Sequence, residues 1–211
     1  MSVNIKNLTE IKSLLNNYPK SNLLVVSKNR SIEDVDQIYR YGQSLFGENR
    51  VQEAFLKFNN YPNIEKIKLH LIGPLQSNKV AQALNLFDVI QSIDRKKIVH
   101  EIVKERNKNP NIKTKEFYVQ LNIGKEQQKS GVSPEEIESF YSYCLQSYVN
   151  IKGLMCIPPN HIAPEPFFDQ MMMIRDKLDK KLLLSMGMSG DYKSALDRGS
   201  DMIRIGSKIF L

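Results

Sequence analysis

The chain has 211 residues, with 30 Lys plus Arg against 23 Asp plus Glu for a formal charge of +7; 41% of its residues are hydrophobic and 25% are charged. These proportions are globular and too apolar for a disordered chain; no apolar run exceeds four residues, far short of the ~20 a membrane span needs, and Met1–Lys6 is not expected to act as a signal peptide. Two cysteines (Cys144, Cys156) cannot build a disulfide framework, and with the widely spaced His70, His100 and His161 they offer no structural zinc spacing, so a reducing, cytoplasmic setting is expected.

In chain order, a helix is predicted over residues 4–17, where Ile5, Leu8, Ile11, Leu14 and Leu15 recur at helical spacing until Pro19. Leu23-Leu24-Val25-Val26-Ser27 is a short run of the buried-strand type. Ser31 and Asp34 then form a capping-box start for a helix with Val35, Ile38 and Tyr39 inward, ended by Gly42. The same unit recurs, with strands predicted at 45–46, 69–72, 88–93, 117–122, 151–156, 182–186 and 202–205. Helices at 49–58, 78–86, 95–107, 133–148, 166–180 and 192–196 fill the intervals. In the helix at 133–148, Ser133 is the expected N-cap, Pro134 the first helical residue and Glu136 the closing member of a capping box.

Eight strand-like runs, each followed by a helix or by the end of the chain, imply a parallel sheet with helical crossovers. The expected fold is α/β: a single (β/α)8 TIM barrel over residues 1–211, with an extra N-terminal helix. An open doubly wound sheet is the alternative, and the lack of G-x-G-x-x-G and G-x-x-x-x-G-K-[ST] weighs against it. Met171-Met172-Met173, on a helix, reads as core filler. The lysines, Lys57 and Lys96 among them, are scattered beside acids or on helix surfaces. With no basic block and no Trp to stack bases, a solvated surface outweighs nucleic-acid binding.

A barrel of this kind carries its chemistry at the C-terminal ends of its strands, often with phosphate bound by the loops after strands 7 and 8. Met186-Gly187-Met188-Ser189-Gly190-Asp191 and Ile205-Gly206-Ser207-Lys208 occupy those two places. Backbone N–H groups and a serine hydroxyl at a helix start suit a dianion. Either loop alone is ordinary turn chemistry, with Ser189 as an N-cap; the two together favour phosphate. Lys28 directly follows the first strand and is expected to reach into the barrel mouth. Partial burial there would lower its pKa and make it a nucleophile, the alternatives being a snorkelling side chain or a pair with Glu48. A lysine and a phosphate site on one rim suggest pyridoxal 5′-phosphate (PLP) held as a Schiff base. Arg204, if it points inward, donates to the pyridine nitrogen and weakens the ring as an electron sink; the alternative is an ion pair with Asp201 or Glu48. Gly187-Met188-Ser189-Gly190-Asp191 fails as a hydrolase elbow, because no histidine follows Ser189.

The same residues carry a family resemblance. Leu24–Lys28, Phe46-Gly47-Glu48-Asn49-Arg50, His70-Leu71-Ile72-Gly73-Pro74-Leu75-Gln76-Ser77-Asn78, Lys129-Ser130-Gly131, Gly153–Pro159, Leu184–Asp191 and Arg204–Phe210 closely resemble the pyridoxal phosphate homeostasis protein family, in order and over nearly the whole chain. The resemblance implies the barrel of the N-terminal domain of alanine racemase, without the racemase's second domain. It implies Lys28 as the Schiff-base lysine, Ser189, Gly206 and Ser207 as phosphate holders, Arg204 facing the pyridine nitrogen and Asn49 beside the ring. It further implies a binder and carrier of PLP without established turnover; a chain filled by one barrel favours a monomer, and apo PLP-dependent enzymes are candidate transient partners. Gln91 stands where His is common, Leu69 where an aromatic is usual and Ser207 where Thr is frequent, while the stretch 160–170 is short. None of these removes a proposed PLP contact.

Three other functions remain open on the sequence. A PLP-dependent amino-acid racemase would need a second acid/base group besides Lys28, and His70 is a weak nominee because it is expected to pack or hydrogen-bond within its strand. A sugar-phosphate aldolase would use Lys28 as its Schiff-base amine. A nucleic-acid binder would use only the net charge.

Overall fold

The computed structural model describes residues 3–210. The predicted alternation is found. Helix α1 (Ile5–Leu15) is followed by β1 (Asn22–Val26), α2 (Ile32–Arg40), β2 (Leu45–Glu48), α3 (Val51–Phe58), β3 (Lys68–Leu71), α4 (Val80–Leu86) and β4 (Val89–Ile93). The second half runs α5 (Lys96–Lys108), β5 (Glu116–Leu121), α6 (Ile137–Gln146), β6 (Ile151–Cys156), α7 (Glu165–Leu178), β7 (Leu183–Ser185), α8 (Tyr192–Asp197) and β8 (Met202–Ile205). Every strand pairs in parallel with its sequence neighbour, and β8 returns to β1 with Leu24 opposite Arg204, so the sheet closes into a barrel. Closure decides against the open sheet.

The outer faces of the strands and the inner faces of the helices form one large apolar cluster, with Phe46, Leu69, Ile90, Val119, Leu154 and Ile203 fully buried. Two small apolar clusters fill the barrel's interior, Leu24 with Ile72 and Met202, and Val89 with Tyr118 and Met155. The interior also holds a polar layer of His70, Gln91, Ser185 and Arg204, all buried and joined by hydrogen bonds. The ring of helices is completed by α1. Asn4 N–H donates to the Ile209 carbonyl at 2.7 Å, Lys12 Nζ reaches the Tyr41 carbonyl at the end of α2, and Tyr18 Oη bonds Asp197 at the end of α8.

Local signals held where they were complete. Ser31 and Asp34 form the expected reciprocal capping box on α2. The start predicted at Ser133 is corrected: α6 begins at Ile137. Ser133 Oγ donates to the Glu136 carboxylate at 2.8 Å instead of accepting a backbone N–H, so residues 133–136 make a separate turn. Residues 78 and 79, read as the start of a helix, belong to a 3₁₀ turn at Ser77–Lys79, and a second such turn at Ile64–Lys66 was not predicted. Met171 is core as expected, but Met173 is 72% exposed because it lies on the opposite face of α7.

Candidate functional site

The C-terminal rim begins at the end of β1, where Ser27–Arg30 forms a turn closed by Arg30 N–H to the Ser27 carbonyl at 3.1 Å. Asn29 takes φ 58°, a left-handed conformation that asparagine tolerates. Lys28 projects from the tip of this turn and is exposed. The expected partial burial is therefore corrected: strand β1 ends at Val26, two residues earlier, and the turn lifts Lys28 to the rim. Glu48 is not its partner. That carboxylate is completely buried and binds Lys57 Nζ at 2.8 Å and the Ser27 hydroxyl at 2.7 Å. Burial pushes the Glu48 carboxyl above its ordinary value, against the pull of the Lys57 ammonium.

On the next strand, Asn49 follows β2 and is half-buried. Its position depends on Gly73 after β3, where a Cβ would stand 2.1 Å from the Asn49 carbonyl oxygen. Only glycine lets the two strand ends approach so closely.

Arg204 enters from β8 and points inward. Nη1 donates to Ser185 Oγ at 2.9 Å and Nη2 to the Cys156 carbonyl at 2.7 Å. Neither Asp201 nor Glu48 pairs with it. Burial lowers its pKa against the pull of the Asp191 carboxylate, yet a guanidinium stays charged, so a buried cation is held by two neutral hydrogen-bond acceptors. Its hydrogen-bond chain continues through the interior. Ser185 Oγ donates to Gln91 Oε1 at 2.7 Å, and Gln91 Nε2 lies 2.8 Å from His70 Nδ1. Burial drives His70 down to about 3, so the ring is neutral. Gln91 Nε2 is a donor, which leaves Nδ1 as acceptor and places the ring proton on the buried Nε2.

The two glycine-containing loops share one geometry. The Met188 carbonyl accepts from Asp191 N–H at 3.1 Å and Tyr192 N–H at 2.9 Å; the Gly206 carbonyl accepts from Ile209 N–H at 2.9 Å and Phe210 N–H at 3.0 Å. The leading N–H groups of Ser189, Gly190, Ser207 and Lys208 are not taken by backbone carbonyls among the described residues. Gly187 takes φ 94°, and a Cβ there would stand 2.6 Å from Ala195 Cβ, so this glycine seats the first loop on α8.

Lys28, Asn49 and Arg204 line one cavity of about 350 Å³, with Gln120, Asn122 and Lys129. A neighbouring cavity of about 650 Å³ is lined by Ser189, Gly190, Asp191 and Lys208. Met188 lines both. Gly206 and Ser207 line neither: Gly206 packs against Val26, a wall of the first cavity, and Ser207 is exposed beside Lys208. Gln120 and Lys129 were not singled out as site residues. Lys129 lines the cavity from the loop after β5, where it donates to the Pro158 carbonyl at 3.2 Å and pairs with Glu126. Alternation along β5 was the one available signal for Gln120, since Tyr118 and Gln120 share the inward face.

A cavity with a buried cation and a rim amine, adjoined by a second one lined by turn residues whose N–H groups no backbone carbonyl takes, fits a small aromatic phosphate carrying an electrophile. No family model matches the chain. The proteins named pyridoxal phosphate homeostasis protein in Aquifex aeolicus and Pasteurella multocida are 36% identical to it over 197 residues and 38% identical over 201 residues. Each alignment covers 89% of this chain, with 85% of the first relative and 84% of the second. PipY of Synechococcus elongatus superposes with a TM-score of 0.90 at 30% identity in a structure without PLP, covering 98% of this chain and 99% of PipY. The PipY structure with PLP bound gives a TM-score of 0.86 at 29% identity over the same shares. An alanine racemase of Clostridium difficile, at 14% identity and a TM-score of 0.79, covers 99% of this chain and 57% of the racemase, a likeness of fold alone.

Proposed function

The chain belongs to the pyridoxal phosphate homeostasis protein family, and on that premise we propose that it binds PLP in the cavity shared by Lys28, Asn49 and Arg204 and holds it without turnover of its own. The observation that carries this reading is the pairing, in one cavity, of the Lys28 amine with a buried guanidinium whose hydrogen bonds go to Ser185 and the Cys156 carbonyl. PLP supplies an aldehyde: Lys28 Nζ bonds to its carbon, and the carbonyl oxygen leaves as water. Arg204 donates toward the pyridine nitrogen and, being always protonated, keeps that nitrogen from taking a proton. Asn49 orients the ring from the β2 end. Ser189, Gly206 and Ser207 receive the phosphate with the leading N–H groups of their turns, and Lys208 adds a cation beside them.

The lining offers few groups for acid/base chemistry. Racemisation needs an acid/base group on each face of the substrate carbon. Besides Lys28 and Arg204, the titratable side chain on the cavity wall is Lys129, held by Glu126 and the Pro158 carbonyl. His70 is absent from that wall, and its low pKa keeps it from accepting a proton near neutrality. In this reading the chain works as one PLP-binding unit, a monomer in the cytoplasm that passes PLP to apo-enzymes. Residues 1, 2 and 211 of that expected unit lie outside the described residues.

The test is the absorption spectrum of the protein incubated with PLP and dialysed. A yellow protein is expected, and Lys28→Ala should lose the colour. A colourless wild-type protein overturns PLP binding. Sustained inversion of an amino acid in chiral analysis, lost in Lys28→Ala, overturns the carrier role.

A further inference from the structure

The turn that carries Lys28 is held on both sides by one ionic cluster. Before Lys28, the Ser27 carbonyl accepts from Lys57 Nζ at 2.7 Å, and the Ser27 hydroxyl donates to Glu48 Oε1 at 2.7 Å. After it, Asn29 N–H donates to Glu53 Oε1 at 2.5 Å. Lys57 Nζ joins the two halves, lying 2.8 Å from Glu48 Oε1 and 3.3 Å from Glu53 Oε1. The cluster is shielded: the Glu48 side chain is fully buried, that of Lys57 is 7% exposed and that of Glu53 25% exposed. Lys57 and Glu53 sit one turn apart on α3, and Glu48 ends β2, so strand and helix are fastened to the β1 turn at three points. Lysine carries three donors and no acceptor, and all three are matched here by the Ser27 carbonyl, Glu48 and Glu53.

Such an arrangement exceeds what packing requires. A buried ion pair is a poor source of stability, because desolvation offsets most of the attraction. Its geometry instead fixes a backbone. The fastened backbone belongs to residues 27 and 29, and the residue between them presents a free amine to the cavity. We infer that Lys57, with Glu48 and Glu53, positions Lys28 for condensation with an aldehyde, and that these three are positioning residues of the site.

This inference rests on the proposed role of Lys28, and the test separates the two. Binding of PLP is compared with binding of pyridoxamine 5′-phosphate, which has the same ring and phosphate but no aldehyde. Glu53→Ala removes the acceptor for Asn29 N–H on a partly exposed helix position that alanine suits. It should weaken PLP binding on the order of tenfold while pyridoxamine 5′-phosphate binds as to wild type. Glu53→Gln keeps the acceptor oxygen and should restore most of the lost affinity. Lys57→Met should show a larger selective loss; if it fails to fold, the Glu53 variants decide alone. Glu53→Ala binding PLP like wild type, or losing both ligands equally, overturns the positioning role. Wild-type protein that binds neither ligand, or binds both without a spectral change, instead overturns the role of Lys28 itself.

Discussion

At the residue scale, the buried polar layer has a cost that pH exposes. His70 titrates at about 3 in the folded barrel and at its ordinary 6.5 when unfolded. Between those values the unfolded chain binds a proton that the folded one refuses. Stability from this group is therefore complete above pH 6.5 and falls as pH drops toward 3, by about 1.4 kcal/mol per pH unit within the window. Urea unfolding of wild type and His70→Gln across that window checks this, and the difference between them should shrink steadily with acidification. A constant difference would show that His70 is not buried neutral. Individual residues were also the least legible part of the sequence. Lys28 and Arg204 stood out because strand ends are functional in barrels. Lys57 read as one more surface lysine, because nothing local distinguishes a helix lysine facing water from one that joins a carboxylate of its own helix to a buried one at a strand end.

At the element scale, the alternation of apolar runs with amphipathic stretches was enough to place all eight strands. Burial on both faces of a parallel strand leaves short, nearly continuous apolar runs. Boundaries failed where a cap signal had a competing partner. Ser133 had the right neighbours for a box, but its hydroxyl bonds the Glu136 carboxylate, and the helix starts after the turn. The loop after β7 is more constrained than its composition suggests. Gly187→Ala brings a Cβ within 2.6 Å of Ala195 Cβ at φ 94°. We expect a loss of about 1–3 kcal/mol in urea unfolding from strain and overpacking together. In the proposed site it also displaces Ser189, so PLP affinity should fall with stability. Retained affinity would detach this loop from the phosphate.

At the scale of the whole molecule, the barrel was legible because eight repeats admit few arrangements. Its closure through β1 and β8 was part of that expectation, but the use of α1 to complete the helical ring was not, since it depends on contacts between the two ends of the chain. The meeting of rim residues in one cavity is a product of closure: Lys28 and Arg204 lie 176 positions apart in sequence, but Lys28 sits on the turn after β1 and Arg204 on β8, which pairs with β1. Whether that meeting is a PLP site is decided most directly by borohydride reduction of the PLP-treated protein followed by peptide mass mapping. A single pyridoxyl group on Lys28 is predicted. A label absent altogether, or spread over Lys129, Lys208 and surface lysines with Lys28 unmodified, would contradict it.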